Sequence, residues 1–234
     1  MSAPLTVADS KRAFHAAFPH VIGPLYRRMV DELLVELHLL SHQRGFKADP
    51  LFAVGVVQVF EAFALGYRPE QHRGPLLEAL CQATGFDAGE LRRRSEEALG
   101  AMGAHSVEAV KGWIEAGGDG APEPLAHALH QIRRPDFHYS RLMAVGLLTL
   151  LEKAQGAQDL DAPTLRAYSH DLGEAMGLIK DRLDKDLSLY AGNLEKMAQA
   201  VELVEETLAA EKRRRERQDE GTVSAAAEAA PSGG

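Results

Sequence analysis

The chain is poor in reactive sulfur: 234 residues hold one cysteine, Cys81. One thiol cannot close an internal disulfide, and this fits a reducing compartment. Cys81 follows Leu76, Leu77 and Leu80 on one helical stretch, where a buried, inert thiol is expected rather than a nucleophile. Long apolar runs are missing too. The apolar stretches 50–60 and 142–151 fall short of the roughly 18 residues that span a bilayer. Cationic excess is also absent. With 26 Lys and Arg against 34 Asp and Glu, the formal net charge is -8, a field that repels nucleic acid and argues against it as a partner. The opening Met-Ser-Ala-Pro-Leu-Thr has neither the basic and apolar regions of a secretory signal nor the Arg/Ser-rich stretch of a transit peptide.

The common catalytic motifs are missing as well. The sequence has no G-x-x-x-x-G-K-[ST] loop, no G-x-G-x-x-G after a strand and no G-x-S-x-G elbow. Carboxylate pairs such as Glu96/Glu97 and Glu205/Glu206 are helical neighbours, which point in different directions and cannot share a site. Ten histidines raise the question of a metal. His38 and His42 are four apart and His127 and His130 three apart, but neither pair has the H-E-x-x-H arrangement. Ordinary boundary histidines are the expectation, with no metal and no cofactor. The rival reading is a helical metal- or pigment-dependent enzyme, or a pigment-binding protein, using these histidines. Two basic spots, Arg27/Arg28 and Arg92/Arg93/Arg94, have the chemistry to meet a phosphate or a lipid headgroup.

What the sequence does contain is helix, almost throughout. Thr6 and Asp9 form a start signal, Pro19 stops the first helix and Pro24 opens a second with the stripe Tyr26, Val30, Leu33, Leu37 and Leu40. Asp49-Pro50 opens a third that closes at Gly66, and Pro75 starts a fourth that ends at Gly85. Further helices are predicted over 87–99, 106–116, 123–134, 139–154 and 163–176. No stretch shows the period-2 alternation of a half-buried strand, so the fold class is all-α: a multi-helix bundle with a long C-terminal coiled-coil-like helix. The helices at 51–63 and 142–151 are apolar nearly all round and belong in its middle. Each carries a glycine, Gly55 and Gly146. Two readings stand: close backbone approach, or a glycine merely tolerated at about 1 kcal/mol relative to alanine.

The strongest pattern lies near the C-terminus. Leu183, Leu187, Tyr190, Leu194, Met197, Val201, Val204 and Leu208 alternate in spacings of 4 and 3, the heptad pattern that keeps one stripe facing a partner. With Leu187, Leu194, Val201 and Leu208 at position a, the flanking positions are small, neutral or acidic: Asp184, Ala191, Ala198, Glu205 and Asp186, Asn193, Ala200, Thr207. A self-sufficient zipper carries opposite charges there. Docking on the chain's own body or on a different protein is therefore favoured over self-dimerisation. The seam runs into a cationic stretch containing Arg213, Arg214 and Arg215; with the seam it makes the candidate partner-binding face. Leu80, Ala83, Gly85, Phe86 and Leu91 echo Leu172, Ala175, Gly177, Leu178 and Leu183, which predicts a glycine cap at Gly177 before the seam helix. The expected division is 1–177 as the bundle, 178–217 as the long helix and 218–234 as a disordered Ala/Gly/Ser tail.

Several ordered blocks carry a family resemblance: TVADSKRAFHAAFP from Thr6, PLYRRMVDELLVELHLLS from Pro24, DPLFAVGVVQVFEAFALGYRPE from Asp49, YSRLMAVGLLTLLE from Tyr139 and KDLSLYAGNLEKM from Lys185. Together they resemble the thylakoid-formation family, also known as the photosystem II biogenesis protein of the twenty-nine kilodalton class. The resemblance implies an all-helical, non-enzymatic accessory factor for thylakoid and photosystem II biogenesis and repair. It further implies partnership with the FtsH-type membrane protease and the photosystem II assembly machinery. The expected location is a cyanobacterial cell, peripheral on the cytoplasmic side of the thylakoid membrane. Gly192 stands where the family commonly has serine; a mid-helix glycine costs roughly 0.5–1 kcal/mol relative to alanine and softens the seam.

Overall fold

Helix starts follow the capping chemistry of the sequence. In the computed structural model, which describes residues 5–132, 134, 137–175 and 180–228 (the side chains of 172, 175, 180 and 215–228 excepted), Thr6 and Asp9 close a reciprocal capping box on α1 (Val7–Ala17). Asp49, Asp87, Ser106 and Ser140 accept from backbone N–H groups at the starts of α3 (Pro50–Phe63), α5 (Ala88–Met102), α6 (Val107–Glu115) and α8 (Arg141–Lys153). Such caps contribute about 1 kcal/mol each. Burial pushes the Asp49 carboxyl up to about 6 while its oxygen holds the Phe52 N–H at 2.8 Å.

The remaining helices are α2 (Pro24–Ser41), α4 (Arg73–Thr84), α7 (Glu123–Ile132), α9 (Ala162–Ala175) and α10 (Lys180–Glu228). The all-α class is confirmed: a single backbone bridge between Ser106 and Gln155 is the sole strand-like pairing among the described residues. Some boundaries differ from expectation. A 3-10 turn, Glu70–His72, leads into α4, which starts ahead of Pro75; proline is tolerated in a first turn because its missing N–H has no partner there. Gly85 ends α4 in the left-handed conformation with φ 83°, and the Phe86 N–H returns to the Cys81 carbonyl at 2.9 Å, the expected cap. Its proposed twin at Gly177 lies outside the described residues. The backbone of α10 stays helical to Glu228, past the expected end at 217. Alanine, the strongest helix former, fills 225–227.

The core is built on α3 and α8. Leu51, Phe52, Ala53, Val54 and Val56 from α3 and Leu142, Ala144, Leu147, Leu150 and Leu151 from α8 are buried. The glycine question resolves in favour of close approach. A Cβ on Gly55 would overlap the Leu142 carbonyl, and one on Gly146 would overlap the Leu51 carbonyl. Each helix thus presents its glycine to the other's backbone, and side chains of any size would force the pair apart. α5 and α7 also pack on α3, α9 packs on α8 and α6, and α1 and α2 pack on α4. No helix among the described residues is long and apolar enough to cross a membrane.

The chain divides into two compact units, Met1–Gly192 and Asn193–Gly234. The division falls within α10 itself, immediately after Gly192, rather than at the 177/178 boundary expected from the sequence.

Candidate functional site

The N-terminal end of the seam is core. Leu183 and Leu187 are 0% and 1% exposed and cluster with Ala144 of α8, with Tyr139 and Leu148 packed against them. Gly173 of α9 makes room for Leu183: a Cβ there would meet the Leu183 Cδ2. Tyr190 sets its ring edge-on to Phe63 with centroids 6.1 Å apart. Burial pushes its phenol up to about 12, opposed by a side-chain hydrogen bond with Gln58.

Polar contacts fix this root in place. The Tyr139 hydroxyl donates to Asp186 Oδ2 at 2.8 Å, and the Arg182 guanidinium lies over the Tyr139 ring, 4.9 Å from its centroid. Burial, then the neighbouring Asp186 carboxylate, drives the Tyr139 phenol far above its ordinary pKa. His170 Nε2 of α9 sits 2.9 Å from Asp184 Oδ1. The next two residues after Tyr139 reach the other way. Ser140 donates to Glu36 Oε1 at 3.1 Å, and Arg141 Nε donates to Glu36 Oε2 at 2.6 Å. Three consecutive side chains thus tie α10 and α2 to the start of α8. Sequence reading missed this clasp, although the acidic residues beside the seam, Asp184 and Asp186, were its visible signal.

Farther along the same helix the stripe opens. Leu194, Met197 and Val201 are partly buried, whereas Val204 and Leu208 are 49% and 59% exposed. Leu203, outside the heptad register and not singled out in the sequence, is 65% exposed on another side of the helix. Arg213 and Arg214 are exposed; the side chain of Arg215 lies outside the described residues. The structure therefore separates the predicted partner-binding residues into a docked set and an open set.

The rival chemical sites resolve into local structure. His38 is buried with its Nδ1 2.9 Å from the Ser10 hydroxyl of α1, and burial, then the neighbouring His42, lowers its pKa. His42 Nδ1 lies 2.9 Å from the His38 carbonyl. His127 faces Gln131 and is exposed. No cluster of three or more metal-ligating side chains occurs among the described residues. Arg93 is held by Glu90 and Glu97 at 2.8 and 2.6 Å, Arg94 by Glu90 at 2.6 Å, and Arg92 lies 4.0 Å from Glu78. That arginine run is internally compensated rather than arranged around a phosphate. Cys81 is fully buried, and burial pushes its thiol up to about 12, far from the thiolate needed for reactivity.

Comparison with known proteins places this arrangement. The sequence profile described as thylakoid formation protein matches residues 6–219. Protein Thf1 of Prochlorococcus marinus strain MIT 9313 is 54% identical over 220 residues, covering 94% of this chain and 90% of that one. Protein Thf1 of Cyanothece sp. strain PCC 7425 is 40% identical over 235 residues, covering 99% and 100%. The solved structure of Psb29 at 1.55 Å superposes with a TM-score of 0.78 at 33% identity, covering 91% of this chain and 99% of that one. On this agreement of sequence and fold, the chain belongs to the thylakoid formation protein family.

Proposed function

We propose that the protein is a non-enzymatic accessory factor for thylakoid membrane and photosystem II biogenesis and repair, which binds and supports the FtsH-type membrane protease. It acts peripherally, on the cytoplasmic side of the thylakoid membrane. The observation that carries the partner-binding part is the open end of the seam: Val204 and Leu208 leave its apolar stripe exposed, with Arg213 and Arg214 following on the same helix. An apolar stripe left in water by its own fold is a recognition surface of the helix-in-groove kind. Membership of the thylakoid formation family supports the biological setting.

Affinity capture from solubilised cyanobacterial thylakoids tests this. The full chain is expected to retain the protease, and Val204→Asp with Leu208→Asp is expected to lose it at unchanged melting temperature. Capture indifferent to the double variant would take the seam out of the interface. In cells, deletion of the gene is expected to lower protease abundance and slow photosystem II recovery after high light; normal recovery and abundance would defeat the assignment.

A further inference from the structure

We propose that one end of the bundle, where the loop joining α1 to α2 meets the loop joining α3 to α4, docks directly on an anionic lipid surface. This rests on the reading of the protein as a peripheral membrane factor and identifies the surface by which it meets the bilayer.

The two loops are held together by contacts between their rings. His20 stacks on His72 with ring centroids 4.0 Å apart, Phe18 packs against both rings, and Tyr26 sets its ring 5.0 Å from Tyr67. Phe18 and Ile22 anchor the first loop in the core, and Ala64 and Tyr67 anchor the second. Between those anchors each loop leaves one large aliphatic side chain in water. Val21 is 89% exposed and Leu65 is 73% exposed, the two highest values among the exposed large hydrophobics. Neither is needed by the folded chain, because the adjacent anchors already do the packing.

Charge singles out the same end. Arg27 and Arg28 open α2, and Arg68 and Arg73 flank the second loop, against the one carboxylate Glu70 within 62–77. No acidic residue occurs between Asp9 and Asp31. Glu70 is shared between Arg68 and Arg73 at 3.7 and 3.6 Å, and Arg28 pairs with Glu32 farther up α2. Four arginines against Glu70 and Glu32 leave this end positive in a chain whose net charge is -8. Cations attract an anionic headgroup layer, and isolated aliphatic tips then enter the boundary between headgroups and acyl chains. A folded protein partner needs a continuous complementary area, whereas a lipid surface accepts two separate tips without shape matching.

Flotation of the full chain with vesicles of phosphatidylglycerol in phosphatidylcholine, against phosphatidylcholine alone, tests the assignment. The chain is expected to float with the anionic vesicles only, and less as salt rises. Arg27→Glu with Arg28→Glu is expected to reduce binding by about tenfold or more, from roughly fivefold per basic residue. Val21→Ser with Leu65→Ser is expected to reduce it several-fold, while Arg213→Glu with Arg214→Glu leaves it unchanged. All these sites are exposed, so circular dichroism and melting are expected to match the parent protein. No binding to anionic vesicles overturns the proposal, as does a loss confined to the Arg213/Arg214 variant. Loss of thylakoid association in cells by the Arg27/Arg28 variant, with its vesicle binding intact, assigns the patch to an acidic protein and also overturns it. The Val204→Asp/Leu208→Asp protein separates the two readings: its vesicle binding is expected to be unchanged, so failed protease capture leaves lipid docking standing, and failed flotation leaves capture standing.

Discussion

Leu187 and Leu208 occupy the same heptad position of one helix, yet one is 1% exposed and the other 59%. The spacing between seam residues is regular throughout, so periodicity does not distinguish them. What differs is the surroundings. Near Leu187 the body supplies Ala144, Leu148 and Tyr139, a glycine that admits Leu183, and a phenol that meets Asp186. Val204 and Leu208 keep about half or more of their surface in water. The comparison teaches that a heptad states which residues share a face and is silent about what covers it. Here the docked end is structural, and the open end is the part proposed to meet a partner.

The comparison breaks most sharply on truncation. Leu187→Ala is expected to cost about 3 kcal/mol of stability, since a buried leucine loses both transfer energy and packing. Leu208→Ala is expected to stay within about 0.5 kcal/mol, as for an exposed site. Thermal or urea unfolding of the two variants reads this directly, and equal losses would show that both ends are packed alike.

A titration sharpens it. The Tyr190 phenol has a folded-state pKa raised to about 12 by burial, above the ordinary value near 10. The folded state then binds more protons than the unfolded state between about pH 10 and 12, so stability falls as pH rises through that window. Tyr190→Phe is expected to be less sensitive than the parent between pH 9 and 12, and parallel curves for the two proteins would contradict a half-buried Tyr190.

The smallest expected effect concerns the clasp. Tyr139→Phe removes the hydrogen bond to Asp186 and is expected to cost about 1 kcal/mol. Coupling measured with Asp186→Ala in a double-mutant cycle checks it, and fully additive losses would mean that the contact contributes nothing to holding the root.

Much of the fold is legible in local chemistry. Thr6, Asp49, Asp87, Ser106 and Ser140 mark helix starts because a short polar side chain satisfies N–H groups that the helix leaves unpaired. The two all-apolar helices announce the core because no face of either can meet water. The candidate site was only half legible. Its residues are aligned by period, but the clasp joins Tyr139 to Asp186 and Ser140 to Glu36 across long stretches of chain, and no periodicity encodes a pairing at that range. The basic spots show the same limit. Arg92, Arg93 and Arg94 are all held by Glu78, Glu90 and Glu97, whereas in the other spot Glu32 holds Arg28, a difference the charge pattern alone does not settle.

The sequence by itself determined the helices, their caps, the central apolar pair and the seam, because each depends on contacts within a few residues along the chain. Only the tertiary structure decided that Gly55 and Gly146 face each other's backbones, and that the seam is covered at Leu183 and Leu187 and open at Val204 and Leu208. Those outcomes depend on which distant segment arrives beside each residue, and only the folded chain settles that.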